Sequence, residues 1–461
     1  MNYPRIILAG TQSSVGKTTL ALGIILALSK KGLKVQPFKA GPDYIDPTYH
    51  AQVSRNISAN LDSYLMSNEA ILELFKRRAS RADISVIEGV MGLYDGLRGE
   101  EQGSSADLAK ILKSPVILIM DVRSLSRSAA AVALGFREFD KNVNIAGIIL
   151  NNIGSKNHLD YVKQAIESKT KIKVLGYLPK ILDLKLPQRH LGLVPTQETK
   201  LDNTFCKQLL NLVKKYIDLD QILKISRRAG KLPLNKKQIF IPQRLKSRLT
   251  LAVPRDKVFN FYYQDNLDIL KHLGAKLVEF NSLENKKLPS EISGLYIGGG
   301  FPELFAAYLS KNINLKEDIY QKFKTGLPIY AECGGLMYLV ERLIDFQKKS
   351  HSMVGIFKGS VSMADKLQAL GYVNVETLKD NILSKKGNQV KAHMFHWSYL
   401  KGTSKSLTLA YKLKKGPNKV FYDGLIKKNA LATYTHLHFA SNLNFAKNFI
   451  NSCKKYKEEN D

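Results

Sequence analysis

The sequence predicts an α/β protein of two domains. At 461 residues the chain is long enough for two cores of ordinary size. Short apolar runs alternate with helical stretches, and the pattern occurs twice, on either side of a Lys/Arg/Pro-rich segment from Ser226 to Arg248 with weak periodicity. The runs in the first half are continuous rather than alternating, as parallel strands covered on both faces require. The expected boundaries are 1–225 for a phosphate-binding parallel-sheet domain, 226–248 for a linker, 249–448 for a second α/β domain, and 449–461 for a charged C-terminal tail.

In chain order the first domain opens with a strand from Arg5 to Ala9, a helix from Lys17 to Lys31 and a strand from Lys34 to Lys39. Further strands are expected at Ile84 to Glu88, Pro115 to Asp121, Asn144 to Asn151 and Ile172 to Leu178, and a helix from Phe205 to Tyr216 closes the domain. After the linker the pattern restarts with a strand from Leu249 to Val253, a helix from Tyr263 to Leu273, and strands Lys276 to Phe280 and Leu295 to Ile297. A strand then runs into Cys333, a helix follows over 336–340, and shorter strands are expected at Gly371 to Glu376, Val390 to Leu400 and Ala430 to Thr435.

The composition is 44% hydrophobic and 24% charged, ordinary for a soluble globular protein. The longest apolar runs, such as Val116 to Met120, are strand-length and too short to cross a bilayer. Ile6 to Ala9 is likewise too short for a signal peptide. Three cysteines, Cys206, Cys333 and Cys453, show no metal-ligand spacing and point to a reducing compartment, hence a cytoplasmic protein. The formal charge of +30 is the unusual figure. Clustered cations would suit a nucleic acid, but these lysines are spread along helix faces and loops (Asn235 to Lys237, Lys412 to Lys415) without aromatic platforms or a helix-turn-helix pattern. A lysine-biased surface favouring anionic substrates is the expectation, with neither nucleic acid nor membrane as partner.

Gly10-Thr11-Gln12-Ser13-Ser14-Val15-Gly16-Lys17-Thr18-Thr19 lies between a strand and a helix. In such a loop backbone amides cradle phosphates, Lys17 reaches the outer ones and the Thr18 hydroxyl helps hold Mg²⁺. Five residues, not the usual four, separate Gly10 from Gly16. Glu88 ends a buried strand where a Mg²⁺ ligand is wanted. Asp43 and Asp46 follow the second strand, and Asp95 lies in a loop just past Glu88, so all three belong to the same sheet edge. Turn aspartates also often bond only their own backbone.

Cys333 stands between the apolar strand Pro328 to Ala331 and Gly334-Gly335. A tight strand-to-helix turn of that kind lifts a thiol out of a sheet. A thiol that attacks an amide needs a base and an oxyanion hole. Gly298-Gly299-Gly300, after its own strand, and the amide of Gly334 offer the donors. The base is one of His351, His393, His396, His436 and His438. His436 and His438 close a short strand and alternate onto one face, so at most one is catalytic; composition does not choose.

Taken together these motifs resemble the cobyrinic acid a,c-diamide synthase family. The resemblance rests on Gly10 to Thr19, Lys39 to Pro47, Glu88 to Gly96, Gly298 to Glu303, Glu332 to Gly335 and Tyr434 to His438, spans nearly the whole chain and is weakest over Asp183 to Arg248. It implies an N-terminal P-loop domain similar to dethiobiotin synthetase and a C-terminal triad-type (class I) glutamine amidotransferase-like domain. It also implies ATP as co-substrate, Mg²⁺, glutamine and a polycarboxylate tetrapyrrole; oligomeric state stays open, a homodimer being one option. By the resemblance Cys333 is the glutaminase nucleophile and His436 its partner, with Gly299, Gly300 and Gly334 as the oxyanion hole. Gly10, Thr11, Gly16, Lys17, Thr18 and Thr19 bind the nucleotide, with Asn151 where such enzymes read adenine. Thr18, Asp43 and Glu88 hold Mg²⁺, and Tyr44, Asp46 and Asp95 meet the substrate.

Two departures stand out. The usual third member of this amidotransferase class is a Glu two residues after the histidine; here that place is His438, which implies a dyad and free ammonia as an alternative donor. Met394 replaces the Glu that the family commonly carries in the segment Ala392 to Ser398. The alternatives in the same class are enzymes for hydrogenobyrinic acid or nickel-sirohydrochlorin, with a multi-amidating cobyric acid synthase less favoured. A partition-type switch ATPase shares the phosphate loop but has no use for Cys333 and His436.

Overall fold

A computed structural model describes residues 3–180, 186–189, 192–234, 238–241, 249–402 and 408–460. The chain divides into two compact units, Met1–Gln238 and Ile239–Asp461. No helix among the described residues is long and apolar enough to cross a membrane.

In the first unit β1 (Arg5–Gly10) leads through the glycine-rich loop into α1 (Lys17–Lys30). Residues 20–28 of α1 are buried on every side, as a helix apolar all round must be. The chain continues through β2 (Val35–Ala40), α2 (Asp46–Ser54), β3 (Ala59–Leu61), α3 (Asn68–Ala79), β4 (Ile84–Gly92), α4 (Ser105–Ile111) and β5 (Val116–Asp121). It then forms α5 (Ser128–Phe139), β6 (Ile145–Ile153), α6 (Lys156–Thr170) and β7 (Val174–Pro179). The strands lie in the order β3-β2-β4-β1-β5-β6-β7, every neighbouring pair parallel. β1 is therefore central, and its C-terminal end opens where the crevice of such a sheet lies.

A two-strand ribbon of β8 (Gln188–Arg189) and β9 (Gly192–Leu193) precedes α7 (Asn203–Tyr216) and α8 (Leu219–Arg227). Phe205, Leu209 and Val213, four apart, bury one face of α7. That face packs so closely on α1 that a Cβ at Gly23 would meet Val213 Cγ2 at 2.5 Å. The linker expected from 226 begins too early. Ile222, Ile225 and Ser226 of α8 are buried, and the Gly230 carbonyl accepts from the buried Arg5 guanidinium, which also bonds the Leu112 carbonyl. Of the expected linker, 235–237 and 242–248 lie outside the described residues.

The second unit runs β10 (Leu249–Pro254), β11 (Phe259–Phe261), α9 (Gln264–His272), β12 (Ala275–Phe280), β13 (Gly294–Ile297) and β14 (Gly299–Gly300). α10 (Ala306–Lys311), α11 (Ile313–Lys324), β15 (Ile329–Glu332) and α12 (Gly334–Leu339) follow. Next come β16 (Val340–Ile344), β17 (Ser350–Ser352), β18 (Phe357–Met363), β19 (Ala369–Thr377), β20 (Gln389–His396) and β21 (Ser398–Lys401). β22 (Thr408–Lys415), β23 (Lys419–Lys427), β24 (Ala430–Thr433), β25 (His436–Leu437) and α13 (Leu443–Asn460) complete it. Its main sheet has the order β12-β10-β13-β15-β24-β23-β22-β19-β20-β25, parallel as far as β24 and antiparallel beyond.

Three expectations change here. The strand expected over Val390 to Leu400 is two strands parted at Trp397: β20 joins the main sheet, β21 a smaller one of order β17-β16-β18-β21. The strand expected to reach Thr435 stops at Thr433, because the buried Asp423 carboxylate accepts from the backbone amides of Tyr434 and Thr435 and from the Thr435 hydroxyl, bending the chain. The expected tail, 449–461, belongs for all its described residues to α13, where Phe449, Ile450, Cys453 and Tyr456 are buried; the charges of this helix occupy its outer face.

Candidate active sites

At the C-terminal end of β1 the glycine-rich loop closes on α1. Gly16 caps the helix with φ 93°, a left-handed conformation that glycine adopts without a Cβ penalty. Lys17 Nζ donates back to the Gln12 carbonyl at 2.9 Å, and burial, then the nearby Lys39 charge, lower its pKa to about 8. Thr18 Oγ1 donates to Glu88 Oε1 at 2.7 Å. Glu88 is wholly buried at the end of β4, and its other oxygen meets His50 Nε2 at 2.7 Å. Burial works against the Glu88 charge, but Lys39, His50 and Thr18 outweigh it and hold the carboxyl below its ordinary value.

Lys39 Nζ bridges Glu88 Oε1 at 2.9 Å and Asp46 Oδ2 at 2.6 Å. Burial opposes that ammonium too, yet the two carboxylates raise its pKa. Asp46 is pushed well up by burial and by the charge of Asp43, against the pull of Lys39. Asp43 Oδ1 accepts from the amides of Ile45 and Asp46, which starts α2, and Asp95 Oδ2 accepts from the Gly92 amide. These two aspartates thus secure their own loops at the same sheet edge. Tyr44 lies between Asp43 and α2. Asn151 Nδ2 donates to the Val15 carbonyl at 2.9 Å and rests against Gly16, so it buttresses the phosphate loop. Among the described residues no three His, Cys, Asp or Glu side chains make a metal cage by themselves.

In the second unit the strand-to-helix turn at Cys333 is sharp. Cys333 has φ 48° and ψ −100°, a strained conformation for a residue with a Cβ. Its amide bonds the Thr433 carbonyl on β24 at 2.6 Å, its carbonyl accepts from Met337 in α12, and its thiol lies 3.7 Å from the Phe395 carbonyl. His436 reaches the same turn from the other side of the Asp423-held bend, its ring and the Cys333 Cβ both lying against Gly299. Burial disfavours the imidazolium, but the neighbouring Cys333 and Glu332 outweigh it and raise the His436 pKa to about 10.

Gly299 is small because His436 and Cys333 press on it: a Cβ there would lie 2.8 Å from His436 Cε1 and 3.6 Å from Cys333 Cβ. Gly300 has φ 151°, and a Cβ on it would sit 1.8 Å from the Val258 carbonyl. A Cβ on Gly334 would be 3.0 Å from the Gly300 amide nitrogen, so those two glycines are neighbours beside the thiol. β14 is held against β11, and the Asp256 carboxylate secures β11 by accepting from Val258 and Phe259.

The other histidines divide clearly. His438 is no longer on a strand with His436: its ring packs on Tyr263 at 4.7 Å, Nδ1 accepts from Ala440, and burial lowers its pKa to about 4. His351 pairs with Asp345 in the smaller sheet. His393 lies opposite His436 across β20 and β25, with its pKa lowered to about 3 by burial and then by His436, and His396 stacks on Tyr434 at 3.9 Å. The carboxylate that faces His436 Nδ1, 3.4 Å away, is Glu332 Oε2. Glu332, His50, Asp423 and Asp256 were not singled out from the sequence. The available signals were slight: a Glu abutting Cys333, and a His four residues past Asp46 on a helix.

Comparison with known proteins matches this division. Residues 6–194 match the CobQ/CobB/MinD/ParA nucleotide binding domain, and residues 250–444 the CobB/CobQ-like glutamine amidotransferase domain. A cobyrinate a,c-diamide synthase of Dehalococcoides mccartyi is 44% identical, covering 99% of this chain and 99% of the relative. That of Caldanaerobacter subterraneus is 41% identical over 98% of each, and that of Listeria monocytogenes 45% identical over 95% of this chain and 97% of the relative. With a phosphate loop in one unit, a cysteine elbow in the other and relatives of this identity along nearly its full length, the chain belongs to the cobyrinate a,c-diamide synthase family.

Proposed function

We propose that this chain amidates the a- and c-carboxylates of cobyrinate at the expense of ATP, with ammonia released from glutamine. The observation that carries the reading is the presence on one chain of the Lys17, Thr18–Glu88 cluster and the Cys333–His436 pair. Each alone is common to many activities; together they make a nitrogen source and a consumer for it.

In the glutaminase half the proton of the Cys333–His436 pair already rests on the imidazole, as the raised His436 pKa requires, when the Cys333 sulfur bonds the amide carbon and the carbonyl electrons move to oxygen. The neighbouring amides of Gly334 and Gly299–Gly300 are the donors offered to that oxyanion. Collapse expels ammonia with the proton held by His436, and water then hydrolyses the thioester. In the synthetase half the loop from Gly10 and Thr11 to Gly16, Lys17, Thr18 and Thr19 holds the ATP phosphates. The γ-phosphate passes to a substrate carboxylate, and ammonia displaces phosphate from the mixed anhydride.

Thr18 and Glu88 present a hydroxyl and a carboxylate 2.7 Å apart, hard oxygen donors of the kind Mg²⁺ shares with phosphates and water. Asp43 lies nearby, and the cation would neutralise charge on the transferred phosphoryl group. Tyr44, Asp46 and Asp95 remain the substrate-side residues of this reading, with Asp46 working through its bond to Lys39. The net charge of +30 suits a polyanionic tetrapyrrole.

The test is Cys333→Ser. Glutamine-dependent synthesis should fall by about 10³-fold or more, while ammonia-dependent synthesis stays near wild type. Undiminished glutamine use by that variant would remove Cys333 from the reading. A panel of cobyrinate, hydrogenobyrinate and nickel-sirohydrochlorin with ATP and glutamine, followed by product mass, identifies the tetrapyrrole.

A further inference from the structure

Glu332 ends β15 directly before the nucleophile, and it is 1% exposed. A carboxylate that buried is costly unless a cation faces it. Oε1 accepts from the Tyr330 phenol and from the Leu437 amide, which are neutral; Oε2 faces His436 Nδ1. Tyr262, Tyr296 and Tyr411 also lie in its field, and burial together with the Glu332 charge keeps all these phenols protonated. Among the described residues, its one ion pair is with His436.

We infer that Glu332 is the positioning carboxylate of the glutaminase site, holding His436 through Nδ1 so that the other ring nitrogen serves the Cys333 thiol. Two parts of the chain meet in it. β15 delivers both Glu332 and Cys333, and the register of Glu332 with Thr433 brings β24 alongside just before the bend that carries His436. Because Leu437 donates to the same carboxylate, the chain is anchored immediately after His436 as well. The groups facing His436 are Cys333, Glu332, His393 and His396; burial holds both histidines low, so they supply no negative charge. His438 stands at the position usual for the carboxylate, but its ring is turned onto Tyr263.

The role rests on Cys333 being the nucleophile, and the experiment separates the two. Glu332→Gln keeps the shape and the neutral contacts and removes the charge. Its glutamine-dependent kcat should fall on the order of 10²-fold with KM for glutamine little changed, and ammonia-dependent synthesis should persist. The alkaline limb of the glutaminase pH profile should move to lower pH, since the imidazolium loses its anion, and the pH dependence of Cys333 alkylation should move with it. Tyr330→Phe removes a neutral neighbour and should leave both profiles in place. Unchanged kcat and profiles in Glu332→Gln would overturn the inference, as would a Tyr330→Phe variant impaired to the same degree, which would mark a packing role. If Cys333→Ser also kept glutamine use, the nucleophile assignment itself would have failed. Should Glu332→Gln not fold, Glu332→Asp decides: retained charge predicts an unshifted alkaline limb, and a shifted one overturns the role.

Discussion

The two candidate sites both sit at the C-terminal edge of a parallel sheet, yet they are built from different materials. In the first unit buried charges neutralise one another: Lys39 between Asp46 and Glu88, with His50 on Glu88 and Thr18 beside it. In the second, backbone shape dominates, with Cys333 at φ 48° and Gly300 at φ 151°, beside one ion pair, Glu332 with His436, and the histidines His393 and His438 that burial keeps neutral. Binding a highly charged nucleotide calls for a reservoir of compensated charge. Attack on a neutral amide calls for one thiol and two amides held in place.

The comparison is tested most severely at Lys17. Lys17→Ala should lower synthesis on the order of 10³-fold with glutamine and with ammonia alike, whereas Cys333→Ser affects the glutamine reaction only. A Lys17→Ala enzyme that still worked with ammonia would break the division of labour. At Gly300, alanine meets both an unfavourable φ and the Val258 carbonyl, so Gly300→Ala should destabilise the second unit by about 1–3 kcal/mol or more. Denaturation would report the loss, and ATP affinity should not follow it.

Asp423→Asn asks whether the bend matters for its shape. It weakens bonds to the Tyr434 and Thr435 amides and to the Thr435 hydroxyl, so a loss of about 1–2 kcal/mol and slower glutamine hydrolysis are expected. Thermal melts and glutaminase rates measured side by side would show whether the two effects travel together.

Smaller effects are expected from pH. The folded-state pKa of His436 is raised, so its contribution to stability is complete below its unfolded value of about 6.5 and fades as pH rises through about 10. Melting temperature should decline across that window, and less steeply in Cys333→Ser. For Lys17 the sign is opposite: its pKa is lowered to about 8 in the free protein, so phosphate binding should take up a proton near that pH. Calorimetry of ATP binding in buffers of different ionisation heat measures the uptake, and apparent affinity should fall above about pH 8.

Much of this was legible from residue order. The phosphate loop, Glu88 at a strand end and the Cys333 elbow are local motifs, each announced by a strand running into glycines. What escaped was non-local. Glu332 reads as an ordinary strand residue until a residue 104 positions away is brought to it. Asp423 is unremarkable until the bend at Tyr434 and Thr435 is seen to hang from it. The C-terminal segment looked like a tail because its lysines and glutamates outnumber its apolar residues, although those few share one buried helix face.

By itself, then, the sequence determined the two α/β units, the phosphate loop and the strand-to-helix turn at Cys333, because period, turn chemistry and strand-loop-helix context act within a few residues. Only the tertiary structure decided how each charged group is used. Lys39 serves Glu88 and Asp46, Asp43 and Asp95 secure their loops, and His436 rather than His438 takes the carboxylate of Glu332. The physical reason is that burial makes every charge depend on its nearest partner, and those partners are brought together by sheet register rather than by neighbourhood along the chain.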